Sequence, residues 1–377
     1  MAIKGKTLEE IRREAAAFAQ KWLAPCAQEV DRTGEYPAEV VRAIAEAGYT
    51  GIVHPTEYGG QGGDYLSLCV VTEELCRVDP SASALLMGNT LSGSPLKLFA
   101  TPEQKEKSLR PLAEGTKRAS FALTEPEAGC DAANVQTTAV KDGTEYVLNG
   151  HKRYIIMAPY ADFFTVFAKT DPDAGSRGMT AFIVERDTPG FTVGPAVEKM
   201  GIHGDPISEL FLDNVRVPEE NILGEIGKGM HVALGTLDTG RVTVAAQCLG
   251  VAQGALDLAV AHAKSRVQFG KPLAAMQNTQ FKLAEMAVKV EAARQLVYTA
   301  AKKLDAGESA TQAAAIAKYY AAEAANEVAY RAVQIHGGEG YMKSSRIEQF
   351  YRDARILPIY DGTAEVQLMV IARNLLK

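Results

Sequence analysis

The sequence predicts an α+β chain: an all-α N-terminal domain, then a middle antiparallel β domain, then a C-terminal four-helix bundle. Two changes of periodicity support this prediction. Apolar residues recur at helical spacing over residues 1–119, alternate in short runs over residues 120–227, and return to helical spacing over residues 228–377. Turn signals separate the short runs, whereas the last segment has long helical patterns joined by short Gly/Pro turns. We therefore expect three domains with these boundaries.

Helix start and stop signals define the elements of the first domain. The apolar pattern from Ile11 to Trp22 has the helical period and ends at Pro25, and residues 37–48 lie between a proline and a glycine. The glycine-rich loop at 59–63 lacks the spacing of a dinucleotide-binding fingerprint. Further helical patterns cover residues 66–78, residues 83–91 and the turn that begins at Thr101.

The middle domain is predicted from short runs rich in β-branched and aromatic residues. Asp142-Gly143 and Asn149-Gly150 are turn dipeptides between such runs, a pattern typical of antiparallel sheets. Residues 218–229 form a polar, glycine-containing linker without the spacing of a phosphate-binding loop. The predicted strands are VQTTAV, EYVLNG, FFTVFAKT, MTAFIVE, FTVG and ELFLDNV.

The last domain is predicted to contain helices over residues 234–264, 278–306, 311–336 and 345–354, each with apolar residues at i, i+3, i+4 and i+7. The helix at 311–336 has an alanine-rich face, and small side chains allow helices to approach closely. We expect that face to pack tightly, with a partner either inside the chain or in another subunit.

Composition excludes several classes of function. The 377 residues are 47% hydrophobic and 23% charged, with a net charge of −6, which is ordinary for a soluble globular protein and unfavourable for nucleic-acid binding. No run approaches the roughly 18 apolar residues of a membrane span, and the N-terminus has no signal-peptide pattern. The cysteines, an odd number without C-x-x-C spacing, indicate reduced thiols in a cytoplasm, and the histidines lack metal-ligand spacing.

Asp361 is the residue whose position most strongly indicates chemistry. It lies between Pro358 and a resumed helical pattern, next to Tyr360 and Gly362, so we expect its carboxylate at a helix–turn–helix junction. A carboxylate in an apolar pocket has a raised pKa, which suits a general base. The alternative is an aspartate that accepts backbone N–H bonds in the turn. The stretch by itself leaves both interpretations open.

Four local runs, in order and at family-like spacings, resemble the acyl-CoA dehydrogenase family over essentially the whole chain. In that family the first run meets the flavin and the thioester, and the second reaches the FAD of a neighbouring subunit. The runs are Phe121-Ala122-Leu123-Thr124-Glu125-Pro126 with Gly129 and Asp131, Arg266-Val267-Gln268-Phe269-Gly270, Gln334-Ile335-His336-Gly337-Gly338-Glu339-Gly340-Tyr341, and Tyr351-Arg352-Asp353-Ala354-Arg355, which leads into Ile359–Gln367.

This resemblance implies FAD as the cofactor and assigns two groups of site residues. Taken singly, each has an ordinary structural role as its alternative, such as a strand hydroxyl, a solvated helix end or a helix stop. The FAD-binding residues are expected to be Leu123, Thr124, Tyr154, Ile156, Arg266, Gln268, Phe269, Gln334, Gly337, Gly338, Thr363 and Glu365. The substrate-binding residues are expected to be Cys130, Asp238, Arg241, Tyr360 and Gly362, with a helix-surface salt bridge as the alternative for Asp238 and Arg241.

The implied reaction is α,β-dehydrogenation of an acyl-CoA thioester. Asp361 would remove the α proton while hydride passes from the β carbon to flavin N5, and the backbone N–H of Asp361 would help to polarise the thioester carbonyl. The family also implies a homotetramer and an electron-transferring flavoprotein as the electron acceptor.

Several positions depart from the usual family pattern. The base is usually Glu, and the carboxylate of Asp361 is about 1.5 Å shorter in reach. Some family members carry the base on an earlier helix or in a loop of the N-terminal domain. The matching positions here are Gly240, which cannot act as a base, and the loop 87–97, which contains no acid. Asp361 is therefore the remaining candidate. Cys130, Tyr154 and Ile156 stand where the family usually has Ser, Trp and Thr. These changes favour a short, branched or alicyclic acyl group over a straight medium chain.

Three other functions fit parts of the pattern. A nitroalkane-oxidase-like flavoenzyme would also use an aspartate base, but Asp238 and Arg241 at CoA-contact positions favour the thioester. An acyl-CoA reductase would use the same residues in the reverse direction. A non-catalytic binding scaffold would retain the fold and leave Asp361 inert.

Overall fold

A computed structural model describes residues 3–376, apart from the side chain of Met87. Its N-terminal part is helical, as predicted, and Pro37 and Gly48 bracket α3. The helix predicted over 83–91 continues through Pro95 to Phe99, because a helix buried on most sides is stabilised by tertiary packing. The helices are α1 Leu8–Phe18, α2 Ala27–Thr33, α3 Ala38–Glu46, α4 Tyr65–Val78, α5 Ala84–Phe99, α6 Pro102–Gln104 and α7 Arg110–Ala113.

The middle part is a single sheet with strand order β6-β7-β3-β2-β4-β5-β8, and β1 pairs with β4. Most neighbours are antiparallel as predicted, but β1 and β2 each pair with β4 in parallel, and β8 lies within the predicted linker. The strands are β1 Ala119–Ala122, β2 Thr138–Asp142, β3 Glu145–Ile156, β4 Phe163–Lys169, β5 Met179–Glu185, β6 Phe191–Val193, β7 Ile207–Pro218 and β8 Ile222–Leu223.

The C-terminal part is a helical bundle whose long helices match the predicted ones closely. A short hairpin, β9 Val267–Gln268 and β10 Lys271–Pro272, connects the first two helices. After α11 the chain makes a turn that contains Asp361 before the last helix begins. The helices are α8 Gly229–Ser265, α9 Gln277–Asp305, α10 Thr311–His336, α11 Arg346–Ala354 and α12 Ala364–Leu375.

The alanine-rich face of α10 packs inside the chain. Ala314, Ala317, Ala321 and Ala325 are fully or almost fully buried in one apolar cluster with valines and alanines of α8 and α9. The partner of this face is therefore within the subunit, and the subunit-interface alternative is wrong for these residues. Close helix packing brings polar side chains of α8 and α10 near the Asp361 turn.

Helix α8 is the central element of the bundle. It is the one helix in the part of the chain that the structure describes with the length and composition to cross a membrane, at a mean hydropathy of 1.4. Within that window 72% is buried inside the protein, as expected of a core helix. Its apolar character therefore reflects packing against α4, α9 and α10.

Candidate active site

The turn between α11 and α12 holds Asp361 in an unusual backbone conformation. Asp361 has a φ of 50°, Gly362 has a φ of 91°, and the Thr363 hydroxyl caps α12 by accepting a hydrogen bond from Val366 N at 3.2 Å. Glycine adopts such angles freely, whereas an aspartate there is strained, and such strain persists only when the surroundings enforce it. Here two buried side chains provide that enforcement.

Lys318 and Gln367 fix the turn through hydrogen bonds to one backbone carbonyl. Lys318 Nζ donates to the carbonyl of Gly362 at 2.8 Å, and Gln367 Nε2 donates to the same oxygen at 2.9 Å. Both side chains are fully buried. A single carbonyl with two buried donors is a rigid anchor, so the Asp361 carboxylate is fixed relative to α10.

The carboxylate of Asp361 is enclosed and only partly compensated. The residue is half-buried overall, but its Oδ2 atom is buried and has no hydrogen-bond partner among residues 3–376. Burial raises the pKa of Asp361, while the positive charges of Lys318 and Arg241 lower it. A carboxylate with one free oxygen and a raised pKa is a stronger proton acceptor than an ordinary aspartate.

Asp238 and Arg241 form an ion pair, but the pair is not on the helix surface. Arg241 Nη1 lies 2.7 Å from Asp238 Oδ1, and Thr311 donates to Asp238 Oδ2 at 2.6 Å. The Arg241 side chain is only 7% exposed. Within the described chain its Nε is buried without a partner. Because Arg241 also influences Asp361 electrostatically, the pair belongs to the same enclosed region as the candidate base.

Tyr360 and Cys130 border the turn on two sides. The Tyr360 hydroxyl donates to Gln247 Oε1 on α8, and burial holds the pKa of the phenol well above its usual range. Cys130 is exposed, and its Sγ lies 3.8 Å from the Thr363 hydroxyl. The contact brings Cys130, which follows the Phe121–Pro126 run of the middle domain, to the start of α12.

A buried lysine fixes the Leu123–Glu125 segment. Lys152 Nζ donates to Leu123 O at 3.2 Å, to Phe167 O at 2.6 Å and to Glu125 Oε1 at 2.7 Å. Lys152 and Glu125 are both buried, and burial lowers the pKa of Lys152 to about 8. Lys152 therefore joins β3, β4 and the segment that precedes Cys130.

Tyr154 and Ile156 lie at the end of β3, next to that segment. Tyr154 has a φ of 59° and is 51% exposed, so its aromatic side chain is partly accessible. The Arg153 guanidinium lies 4.8 Å from the ring centroid, and Arg153 N donates to Thr124 O at 2.9 Å. The hydrogen bond from Arg153 joins the end of β3 to the segment after β1 that carries Thr124.

Six of the remaining predicted FAD residues lie at the hairpin after α8 and at the C-terminal end of α10. Stacked rings of His262 and His336, 4.2 Å apart, bring the C-terminal ends of α8 and α10 together. Phe269 is 94% exposed, with a φ of 49°. The exposed members are Arg266, Gln268, Phe269, Gln334, Gly337 and Gly338, and Glu365 on α12 is exposed as well.

Three family models together match nearly the whole chain. The N-terminal domain of acyl-CoA dehydrogenase matches residues 5–116, its middle domain residues 120–215 and its C-terminal domain residues 227–376. The chain belongs to the acyl-CoA dehydrogenase family.

Relatives of this acyl-CoA dehydrogenase family member include both reductases and dehydrogenases. It is 50% identical to a 3-(aryl)acrylate reductase of Clostridium sporogenes, covering 98% of each chain. It is 48% identical to a caffeyl-CoA reductase–Etf complex subunit of Acetobacterium woodii, covering 97% of each. The butyryl-CoA dehydrogenase structure from Megasphaera elsdenii matches with a TM-score of 0.96 at 46% identity, covering 100% of both chains.

FAD is the cofactor of this fold, and the residues present fit it. The partly exposed Tyr154 ring offers an aromatic surface. A Cβ placed on Gly270, Gly337 or Gly338 would meet nothing within 4 Å, which leaves room for close approach to the backbone. Arg266 is exposed beside them and can pair with a phosphate. In the described residues no group of three or more His, Cys, Asp or Glu could hold a metal ion.

Sequence reasoning missed several residues around Asp361. Lys318 was detectable, because it is a charge on the otherwise apolar face of α10. Gln247, Gln367 and Lys152 carry no local signal, since their role depends on contacts across the fold. Asp205 was also missed, and it lies on the segment between β6 and β7.

Proposed function

We propose that this chain is an FAD-dependent oxidoreductase that dehydrogenates the α,β bond of an acyl-CoA thioester, with Asp361 as the base. The observation that carries the proposal is the Asp361 carboxylate, enclosed, with Oδ2 unpartnered in the described structure, and electrostatically linked to Arg241 and Lys318. Burial raises the pKa of Asp361 above its usual value, against the lowering effect of Lys318 and Arg241, which favours proton removal from the α carbon. FAD, when bound, accepts the hydride from the β carbon.

Residues around the turn support a thioester substrate. Arg241, held by Asp238, supplies a buried positive charge that we assign to contact with the CoA moiety, and Tyr360 and Gly362 belong to the turn beside the base. Lys318 keeps the Gly362 carbonyl fixed, so that the Asp361 carboxylate keeps its position as it accepts the proton. We propose that the acyl group is short, branched or alicyclic, because Ile156 and Tyr154 replace the usual family residues beside the flavin.

Reduction of an enoyl thioester is a second candidate. The reductases of Clostridium sporogenes and Acetobacterium woodii favour it, since they share about half of their residues with this chain. In that direction Asp361 would deliver a proton to the α carbon. An aryl-substituted acyl group would then join the short, branched and alicyclic candidates.

The proposed partners follow from the family and the exposed end of the bundle. An electron-transferring flavoprotein is the proposed electron partner, as the name of the Acetobacterium woodii relative states for that complex. The exposed Arg266–Phe269 turn supports a homotetramer in which this turn reaches a neighbouring FAD. We also propose a cytoplasmic location, with no membrane span.

The test is anaerobic mixing of the holoenzyme with a panel of thioesters. The panel contains butyryl-, 2-methylpropanoyl-, cyclohexanecarboxyl- and 3-phenylpropanoyl-CoA, with nitroethane as a non-thioester. We expect the FAD absorbance to bleach with at least one thioester. Bleaching by nitroethane alone, or by nothing in the panel, would overturn the proposal. Fastest bleaching by a linear acyl chain would overturn only the acyl-group assignment.

The substitution Asp361→Asn tests the role of the base. It keeps the shape of the side chain and removes the proton acceptor, so we expect kcat to fall by about 100- to 10,000-fold. FAD content, measured by the absorbance ratio, should stay unchanged. Full activity in D361N would assign the base to another residue.

A further inference from the structure

Gln247 is a polar side chain in the apolar middle of α8, and the proposed reaction does not yet use it. It is fully buried, as are its neighbours Ala246 and Cys248. Its Oε1 accepts a hydrogen bond from the Tyr360 hydroxyl, and its Nε2 donates to Pro80 O at 3.2 Å. A backbone carbonyl only accepts, so the amide NH2 group must face Pro80 and the amide oxygen must face Tyr360. The two contacts therefore fix the orientation of this amide.

Tyr360 is held by its side chain and by its backbone. Burial and, after it, the negative charge of Asp361 hold the pKa of the phenol well above its usual range, so the hydroxyl keeps its proton and donates to Gln247. The ring packs against the apolar core of the bundle, and Tyr360 N donates to Ile356 O at 3.2 Å. The residue that precedes Asp361 is thus fixed at both ends.

Asp361 consequently lies between two anchors. Gln247 holds Tyr360 on its N-terminal side, and the two buried donors described above hold the Gly362 carbonyl on its C-terminal side. The φ of 50° at Asp361 is strained for a residue with a side chain, and such a conformation persists only where the surroundings enforce it. Loss of the contact to Tyr360 would release one flank of the turn and allow the carboxylate to move.

The other partner of Gln247 belongs to the N-terminal domain. Pro80 opens the short 3-10 helix between α4 and α5, and the Asp79 side chain caps that helix by accepting from Ser81 N at 3.2 Å. The Tyr36 hydroxyl in turn donates to Asp79 Oδ2 at 2.5 Å. The carbonyl that orients Gln247 is therefore fixed by packing within the N-terminal domain. A chain of contacts runs from that domain through α8 to the turn that carries the candidate base.

We propose that Gln247 is a positioning residue that holds the Asp361 carboxylate in place through Tyr360, and that docking of the N-terminal domain against α8 sets this position. Gln247 is fully buried and both polar atoms of its amide are bonded within the protein, so it acts on the substrate only through Tyr360. Proton removal is sensitive to displacements of the base of about 1 Å, so the contact affects turnover. The proposal rests on the proposed function of Asp361.

The substitution Gln247→Met tests this role in the holoenzyme. Methionine has a similar volume and is also unbranched, but it can make neither contact. Because the anchor at Gly362 remains, we expect kcat with the thioester that bleaches FAD fastest to fall roughly tenfold. KM should stay within about twofold, since the groups that bind the substrate are unchanged. A wild-type kcat, or a change confined to KM, would overturn the proposal.

The matched control is Gln104→Met. Gln104 is also buried, its Nε2 donates to Glu220 O and Ile222 O, both at 2.8 Å, and its Oε1 accepts from Thr101 N at 3.0 Å. None of these partners belongs to the Asp361 turn. Q104M should lower the midpoint of thermal unfolding and leave kcat unchanged. If it reduced kcat as much as Q247M does, the effect would reflect a general loss of stability, and Gln247 would have no positioning role.

Tyr360→Phe tests the same link from its other end, and it serves even if Q247M does not fold. It removes only the hydroxyl, so we expect a loss of kcat similar to that of Q247M, again roughly tenfold. If the two side chains act through one hydrogen bond, the double variant should be no slower than either single variant. Wild-type turnover in Y360F, or losses that multiply in the double variant, would contradict the link.

Hydrogen exchange followed by mass spectrometry gives a readout that needs no turnover. In Q247M the peptide that contains residues 358–364 should exchange on the order of tenfold faster than in the wild type, because one flank of the turn is released. Q104M should leave that peptide unchanged. Equal exchange in Q247M and the wild type would show that Gln247 does not hold the turn. Full activity in D361N would instead remove the proposed base and leave the exchange result standing, so the two failures are distinct.

Discussion

Two enclosed carboxylates of this protein, Glu125 and Asp361, have opposite environments. Glu125 accepts hydrogen bonds from Gln136 N, Thr137 N at 3.1 Å and the Thr137 hydroxyl, and it pairs with Lys152 at 2.7 Å. Burial works against its charge, but Lys152 and these donors lower its pKa overall. In Asp361 burial dominates and the pKa rises, and in the described chain one of its oxygens has no donor.

The difference distinguishes a structural carboxylate, Glu125, from a candidate base, Asp361. A buried carboxylate whose oxygens all have donors stays ionised and rigid, so Glu125 stabilises the segment that carries Leu123 and Thr124. A carboxylate with a free oxygen can accept a proton, and Asp361 retains that capacity at the expense of stability. Substitutions at the two carboxylates and at their neighbours therefore test this contrast.

Removing the cation beside Glu125 should give the largest effect. Lys152→Met leaves a buried carboxylate without its charge partner, so we expect the free energy of unfolding to fall by about 3–5 kcal/mol. Urea titration followed by circular dichroism measures it. The control is Lys141→Met, which breaks an exposed 3.0 Å pair with Glu219 and should change stability by less than about 1 kcal/mol. Equal effects of the two substitutions would contradict the contrast.

Lengthening the candidate base should reduce turnover next. Asp361→Glu moves the carboxylate by about 1.5 Å within a turn fixed by Lys318, and such misplacement reduces kcat roughly 100-fold. The matched control is Asp173→Glu on an exposed turn, which should leave kcat unchanged. Turnover by D361E equal to or above the wild type would mean that the pocket accommodates the longer acid.

The pH dependence of stability should have opposite signs in the two regions. Because the folded pKa of Asp205 is raised to about 7, its contribution to stability is lost as the pH rises from about 4 to about 7. At about 1.36 kcal/mol per pKa unit, a shift of roughly three units corresponds to about 4 kcal/mol, so D205N should gain up to about that much relative to the wild type across that window, and no more above it.

Glu125 provides the opposite case. Its folded pKa is lowered, so its stabilisation is present above the unfolded pKa and is lost as the pH falls through the folded pKa. Glu125→Gln should consequently destabilise at pH 7 and differ much less from the wild type at pH 3. Unfolding titrations at several pH values measure both differences, and parallel trends in the two variants would refute the assigned environments.

The smallest expected effect concerns the cap of α12. Thr363→Ala removes the hydroxyl that accepts from Val366 N, and loss of such a cap reduces stability by about 1 kcal/mol. Thr363→Ser keeps the hydroxyl and should recover most of the loss. The midpoint of thermal unfolding reports the difference, and a neutral T363A would indicate that Lys318 and Gln367 alone hold the turn.

Much of the fold was predictable because its signals are local. The helix predicted over 311–336 occupies those residues, and Pro37 and Gly48 bracket α3 as expected. The parallel pairing of β1 with β4 was not predictable, since strands far apart in sequence leave no local trace of their register. Helix α5 continues through Pro95 for a similar reason, because burial outweighs the local preference.

The sequence by itself determined the three-part architecture, the family and the position of Asp361, because period, caps and short motifs are properties of neighbouring residues. Only the tertiary structure decided which groups surround that carboxylate. Lys318, Arg241 and Asp205 come from α10, α8 and the segment between β6 and β7, and their meeting depends on how helices and sheet pack. The pKa of a buried acid follows from those neighbours and from exclusion of water, and both arise only when the chain is folded.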